Sequence, residues 1–307
     1  MSIVSMFRQN GPTGFGYSST AEDVTAGLSL AGKTILITGC NSGLGLEAMR
    51  VLALRGAHVI GTARTEAKAV QACRSVQGTT TGLACELADP TSVRACIAAI
   101  REKGVRLDAI IANAGIMALP KCETAFGYEL QFFTNHIGHF MLVTGLLDSL
   151  APDGRVVMLS SSAHQMAPKG GIAFDNLDGK QGYKPWTFYG QSKMANMLFA
   201  KELSRRLKSG KQTAYSVHPG VILTGLNRNM GAVTGTLFRS LGGLFTKTIP
   251  EGTATEVFCA VNPKAVALDG QYVADNNLAK PRAEADDPAL AKKLWDVSER
   301  IVAALPV

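Results

Sequence analysis

KTILITGCNSGLG, running from Lys33 to Gly45, carries the reading of the whole chain. Thr34 to Thr38 is a short apolar run; glycines follow at Gly39, Gly43 and Gly45, and Leu44 to Arg55 then shows a periodic apolar face. Strand, turn and helix in that order make a nucleotide site. Each glycine has a separate physical job there: a sharp turn, close approach of backbone to a pyrophosphate, and close packing of helix on strand. The helix start adds unsatisfied N–H groups that receive negative charge. The spacing is Gly-x-x-x-Gly-x-Gly, not the Gly-x-Gly-x-x-Gly of the best-known dinucleotide turn. Alone, it also suits a tight turn that holds no ligand.

Downstream, the pattern alternates. His58 to Thr62, Thr80 to Cys85, Leu107 to Ala112, Arg155 to Leu159 and Gln212 to His218 read as strands. Between them Glu66 to Arg74, the segment opened by Pro90, Phe126 to Leu150 and Phe188 to Lys208 read as helices. A helix after Pro250, a last strand at Tyr272 to Ala274 and a helix from Pro288 to Ala304 follow. Such a succession predicts a Rossmann-like α/β fold, a doubly wound, mostly parallel sheet with right-handed crossovers. One catalytic domain spans 33–280, with an irregular arm at 1–32, where Thr20 to Asp23 can cap a short helix, and a helical tail at 281–307. Gln165 to Trp186, rich in Gly and Pro, reads as a long loop, and 221–249, glycine-rich and apolar, as a cap over the active site. Ligands of this architecture lie beyond the carboxyl ends of the strands, where Gly39, Ala63, Asn113 and Ser160 fall.

Composition narrows the classes. At 46% hydrophobic and 18% charged, with no apolar run near the length of a membrane span and no basic-then-apolar start, a soluble, cytoplasmic chain is expected. The net charge of +7 is scattered, without zinc-finger or aromatic-basic patterning, so it reads as solvated helix faces plus an anion pocket rather than a nucleic-acid surface. Six cysteines without a C-x-x-C pair suggest reduced thiols, and the His136/His139 pair has no evident third ligand, so no metal site is expected.

Tyr189-Gly-Gln-Ser-Lys193 places a phenol and an ammonium four residues apart on one face near a helix start. An ammonium beside a phenol favours phenolate, which predicts a lowered tyrosine pKa and a proton donor and acceptor usable near neutral pH. Ser160-Ser161-Ser162 follows the fifth strand directly and so converges on the same crevice; as a bland alternative, it is a turn and helix cap.

With these residues in place the chain resembles the short-chain dehydrogenase/reductase family. The resemblance rests on Thr38-Gly39-x-x-x-Gly43-x-Gly45, Asn113-Ala114-Gly115, Asn135, Ser161, Tyr189-x-x-x-Lys193 and Pro219-Gly220, an ordered set covering roughly Lys33 to Val273. Within the family it is most similar to the branch of retinol dehydrogenases, WW-domain oxidoreductases and protochlorophyllide reductases, through Phe15 to Glu22, Ser160 to His164, and Leu294-Trp295 followed by Ser298-Glu299.

The resemblance implies roles. Tyr189 would be the acid in reduction and the base in oxidation, Lys193 would hold ribose hydroxyls and depress the tyrosine pKa, Ser161 would polarise the carbonyl, and Asn135 would hold a relay water. Asn41, Ser42 and Leu44 would complete the phosphate turn with Gly39, Gly43 and Gly45; Asn113, Ala114 and Gly115 would line the cofactor. Pro219, Gly220, Val221 and the Thr224 hydroxyl would face carboxamide or phosphates. Glu86-Leu87 would lie near the adenine, a departure from the family's Asp at that point. The second strand ends Gly61-Thr62-Ala63-Arg64, with an arginine where an NAD enzyme has an acid, so the expected cofactor is NADP(H). The expected substrate is an apolar or bulky carbonyl or alcohol. Reduction of an activated C=C bond, and a low-turnover dinucleotide-binding regulator, are the alternatives; pairing into a homo-oligomer stays open.

Overall fold

The computed structural model describes residues 10–222 and 246–306. Thr224 and nearly all of the expected cap lie outside the described residues.

The sheet explains the apolar runs. Strands β1 (Thr34–Thr38), β2 (His58–Ala63), β3 (Thr80–Ala84), β4 (Leu107–Ala112), β5 (Leu150–Leu159), β6 (Thr213–His218), β7 (Tyr272–Ala274) and β8 (Asn277–Leu278) form one eight-stranded sheet. Its order is β8-β7-β6-β5-β4-β1-β2-β3, parallel throughout except for β8. Helices cover both faces, so alternate residues of one strand enter different cores. Leu36 enters the core that α3 (Pro90–Glu102), α4 (Gly138–Leu146), α5 (Pro185–Leu207) and α7 (Pro288–Ala304) cover. Ile35 and Ile37 pack on the other face with α1 (Gly43–Leu54), α6 (Ile249–Val261) and the arm residues Ala21, Val24 and Leu30. Helix α2 (Glu66–Arg74) follows β2. The strand order reverses between β1 and β4, which opens the ligand crevice there.

Local chemistry sets the helix starts. Thr65 accepts from the Lys68 N–H, Asp89 accepts from Thr91 ahead of Pro90, and Thr248 and Glu251 form a reciprocal capping box. The arm holds a short 3-10 turn at Asp23–Thr25, tied by hydrogen bonds between Thr20 and Asp23.

Three expectations need correction. Phe126 to Leu150 is not one helix. Phe126 and Gly127 have φ of 50° and 83° and turn a two-stranded hairpin, after which a single helical turn, a π turn at Phe133–Ile137 and α4 follow. The fifth strand begins at Leu150, five positions before Arg155, because Leu150 pairs with Leu107 across an irregular register. The long loop begins with a 3-10 helix, Ser162–Met166, and ends at Pro185, which opens α5 where its missing N–H costs nothing.

Candidate active site

The turn after β1 is built for a close approach. Gly39 has φ of +73°, a left-handed conformation, and a Cβ at Gly45 would lie 2.3 Å from the Gly39 carbonyl oxygen. The Asn113 amide donates to the Thr38 carbonyl at 2.8 Å and the Gly39 carbonyl at 3.4 Å, binding the turn to the end of β4. The Ala114 N–H donates to the Thr38 hydroxyl at 3.0 Å. Asn41 and Ser42 are exposed, Gly43 opens α1, and Leu44 is buried at the floor of the cleft.

A cleft of about 320 Å³ lies beyond the ends of β4, β5 and β6. Asn113, Gly115, Ser161, Tyr189, Lys193, Pro219, Gly220 and Val221 line it, so the elements bring most of the sequence-derived set together. Asn135 sits behind this wall, fully buried in the π turn. Its amide donates to the Ile116 carbonyl and the Ser192 hydroxyl, both at 2.9 Å, and its side-chain oxygen accepts from the Ile116 N–H at 2.8 Å.

Arg64, Glu86 and Leu87 lie apart from the cleft, past the ends of β2 and β3. Arg64 is exposed, and among the described residues no carboxylate is ion-paired to it. Glu86 turns its carboxylate onto its own loop, accepting from the Ala88 N–H at 3.2 Å, and the Leu87 side chain belongs to the core.

The strand end and the helix are stapled at the chemistry. Lys193 Nζ donates to the Leu159 carbonyl at 3.1 Å, Asn196 donates to the same oxygen at 2.9 Å, and the Ser160 hydroxyl donates to the Lys193 carbonyl at 2.9 Å. Ser161 caps the 3-10 helix by accepting from the Ala163 N–H. Its hydroxyl faces the same cleft as the Tyr189 phenol and works to lower the phenol's pKa.

Burial dominates the titration of both helix residues. It pushes the Tyr189 phenol up to about 12, with the Ser161 hydroxyl pulling the other way. It lowers Lys193 to about 8. The expected lowering of the tyrosine is therefore not what this geometry gives. The ammonium stands 5.6 Å from the phenol ring centroid and is turned to Leu159, while the tyrosine itself is buried.

Sequence reasoning missed the support behind Ser161. His164 Nε2 accepts from the Arg282 N–H at 3.2 Å, so its Nδ1–H donates to the Ser161 carbonyl at 2.7 Å. His218 Nδ1 accepts from the Ser162 N–H at 3.3 Å. Also missed was the apolar wall of Ile116, Met117, Met166, Trp186 and Ile222. One signal for it was present: Trp186 lies three residues before Tyr189 on the same helix, and their rings meet edge-on at 6.1 Å.

No group of His, Cys, Asp or Glu among the described residues is arranged to hold a metal ion. No helix among them is long and apolar enough to cross a membrane.

A glycine turn at a topological switch point, facing a Ser, Tyr and Lys on one cleft, defines a Rossmann-like protein with a candidate proton-transfer site. The short chain dehydrogenase family model matches residues 33–234. The chain is 40% identical to the chloroplastic short-chain dehydrogenase TIC 32 A of Brassica napus, over 96% of this chain and 97% of that one. It is 37% identical to human retinol dehydrogenase 14, over 89% and 87% of the two chains, and 35% identical to the WW domain-containing oxidoreductase of Gallus gallus, over 93% and 72%. A crystal structure of an uncharacterized protein from Mycobacterium Paratuberculosis shares the fold with a TM-score of 0.72 at 31% identity, covering 92% of this chain and 98% of that one. The chain belongs to the short-chain dehydrogenase family and is an oxidoreductase of that family.

Proposed function

We propose that the chain is an NADP(H)-dependent oxidoreductase that interconverts an apolar or bulky carbonyl and its alcohol, with Tyr189 exchanging the proton. The observation that carries this is that Ser161, Tyr189 and Lys193 line one cleft together with the apolar side chains of Ile116, Met117, Met166, Trp186 and Ile222. The names of the relatives, dehydrogenase and retinol dehydrogenase, point to the same chemistry.

The residues present suit the nucleotide. A Cβ at Gly45 would strike the Gly39 carbonyl and the Asn113 amide, so the helix start is held tight against the glycine turn, where its free N–H groups would receive a pyrophosphate. Exposed Arg64 suits a 2′-phosphate by bidentate pairing. Gly39, Asn41, Ser42, Gly43, Gly45, Asn113 and Gly115 would hold the nucleotide, and Thr224 belongs to the same proposal. When bound, nicotinamide supplies or takes the hydride.

The chain's own residues manage position and proton. Ser161 and Tyr189 would donate their hydroxyl hydrogens to a substrate carbonyl oxygen, and the raised phenol keeps its proton at neutral pH, which is the form needed for reduction. Lys193, held by Leu159, presents its ammonium beneath the phenol for ribose hydroxyls. Ile116, Met117, Met166 and Trp186 give the cleft an apolar wall that favours an apolar substrate body.

The test is consumption of NADPH and NADH, followed by nicotinamide absorbance, against a panel of apolar aldehydes, ketones and activated enones. Turnover with NADPH and a carbonyl class supports the proposal. Turnover with enones alone overturns the carbonyl assignment, and absence of nucleotide binding overturns the whole reading.

A further inference from the structure

His139 takes no part in the chemistry above, yet it is the point at which the glycine turn meets Asn135. The imidazole is fully buried, with Nε2 2.8 Å from the Thr38 hydroxyl and Nδ1 2.9 Å from the Asn135 backbone carbonyl oxygen. A carbonyl only accepts, so Nδ1 carries the hydrogen. Nε2 is then the acceptor, and the Thr38 hydroxyl donates to it. That hydroxyl oxygen in turn accepts from the Ala114 N–H at 3.0 Å. Burial pushes the ring down to about 4, and the nearby Lys193 ammonium works in the same direction against the Asn135 hydrogen bond. The ring is neutral at physiological pH, as the single-hydrogen assignment requires.

The result is one directional chain, Ala114 N–H to Thr38 O–H to His139 Nδ1–H to Asn135 C=O, in which each bond polarises the next. Thr38 is the last residue before Gly39, and Asn135 lies in the π turn, where the helix is widened. On its other side the Asn135 side chain fixes Ile116 and Ser192, and Gly115 lies between Asn135 and Lys193: a Cβ there would be 3.1 Å from Asn135 Oδ1 and 3.5 Å from Lys193 Nζ.

We propose that His139 is a positioning residue for proton transfer, its Nδ1–H aiming the Asn135 carbonyl and its Nε2, held by Thr38, locking the ring in the one tautomer that can do so. The proposal rests on the reading of Asn135, Tyr189 and Lys193 as the proton-handling set. Asn113 independently ties the glycine turn, so loss of the imidazole acts on turnover and leaves nucleotide affinity in place.

Two readouts on the full chain test this. In histidine nitrogen NMR, His139 is expected as the Nδ1–H tautomer, with no titration from roughly pH 5 to 8; an Nε2–H ring, or one that titrates in that range, overturns the assignment. In kinetics with the best panel carbonyl, His139→Phe is expected to lower kcat about tenfold with the NADPH Kd within about twofold. His139→Asn, which can still donate to the Asn135 carbonyl, should recover most of that loss. Unchanged kcat in the Phe variant, an equal loss of kcat and NADPH affinity, or an Asn variant no better than Phe overturns the proposal. Should His139→Phe fail to fold, Thr38→Val, which removes the hydroxyl, is expected to show the same split between kcat and Kd, and its absence counts against the proposal. A wild-type chain that turns over no panel member defeats the oxidoreductase reading instead, and the tautomer still decides whether the hydrogen-bond chain exists.

Discussion

Lys193 Nζ donates to the Leu159 carbonyl oxygen at 3.1 Å, so the helix that carries Tyr189 is hydrogen-bonded to the end of β5 through the residue expected to hold a ribose. The ammonium therefore has a fixed place, but a buried one, and burial lowers its pKa to about 8. Lowering means the charge is lost at a lower pH than for a free lysine. The kcat/KM for NADPH is expected to stay level through neutral pH and fall as pH rises through about 8, with Tyr189 still protonated there. A pH profile level up to the ordinary lysine range contradicts this assignment.

Arg64 stands exposed where an acid would select NAD. Arg64→Ala is expected to weaken NADPH binding by about tenfold or more, the worth of charge-assisted hydrogen bonds to a phosphate, and to change NADH binding little. Fluorescence titration with both nucleotides measures the difference. Equal losses for the two would remove Arg64 from the phosphate site.

Glu256 on α6 is buried, and neither carboxylate oxygen has a hydrogen-bond partner among the described residues. Burial pushes its pKa up from 4.5 to about 8. In that window the folded chain binds more protons than the unfolded chain. The stability this group contributes is thus present below pH 4.5 and lost as pH rises through about 8. Glu256→Gln is expected to raise the denaturation midpoint more near pH 8 than near pH 5. Parallel curves for the two proteins would show that the carboxyl is ionised in the fold.

Much of this was legible in the chain because a strand covered on both faces must be apolar throughout. β1, β4 and the core of β5 announce themselves that way, and the glycine turn and the Tyr189–Lys193 spacing fall where the sheet topology requires. The π turn was not legible, since a one-residue widening leaves the apolar periodicity of Phe132 to Phe140 intact. β8, only two residues long, has no pattern of its own. The bonds of His139 to Thr38 and of His164 to Arg282, which fix the ring tautomers, join residues far apart in the chain, so no local signal encodes them. The direction of the Tyr189 shift is hidden from the sequence for a related reason: spacing reveals that a lysine is near, while burial of the phenol is set by the whole fold.

Tyr189→Phe tests the account most directly, because it removes one oxygen from a helix that otherwise keeps its packing. With NADPH and the preferred carbonyl, kcat is expected to fall by roughly a hundredfold to ten-thousandfold, the usual contribution of a positioned acid. NADPH affinity should stay close to that of the parent chain. A variant that turns over at the parent rate would show that the proton comes from elsewhere and would overturn the assignment of this cleft as the active site.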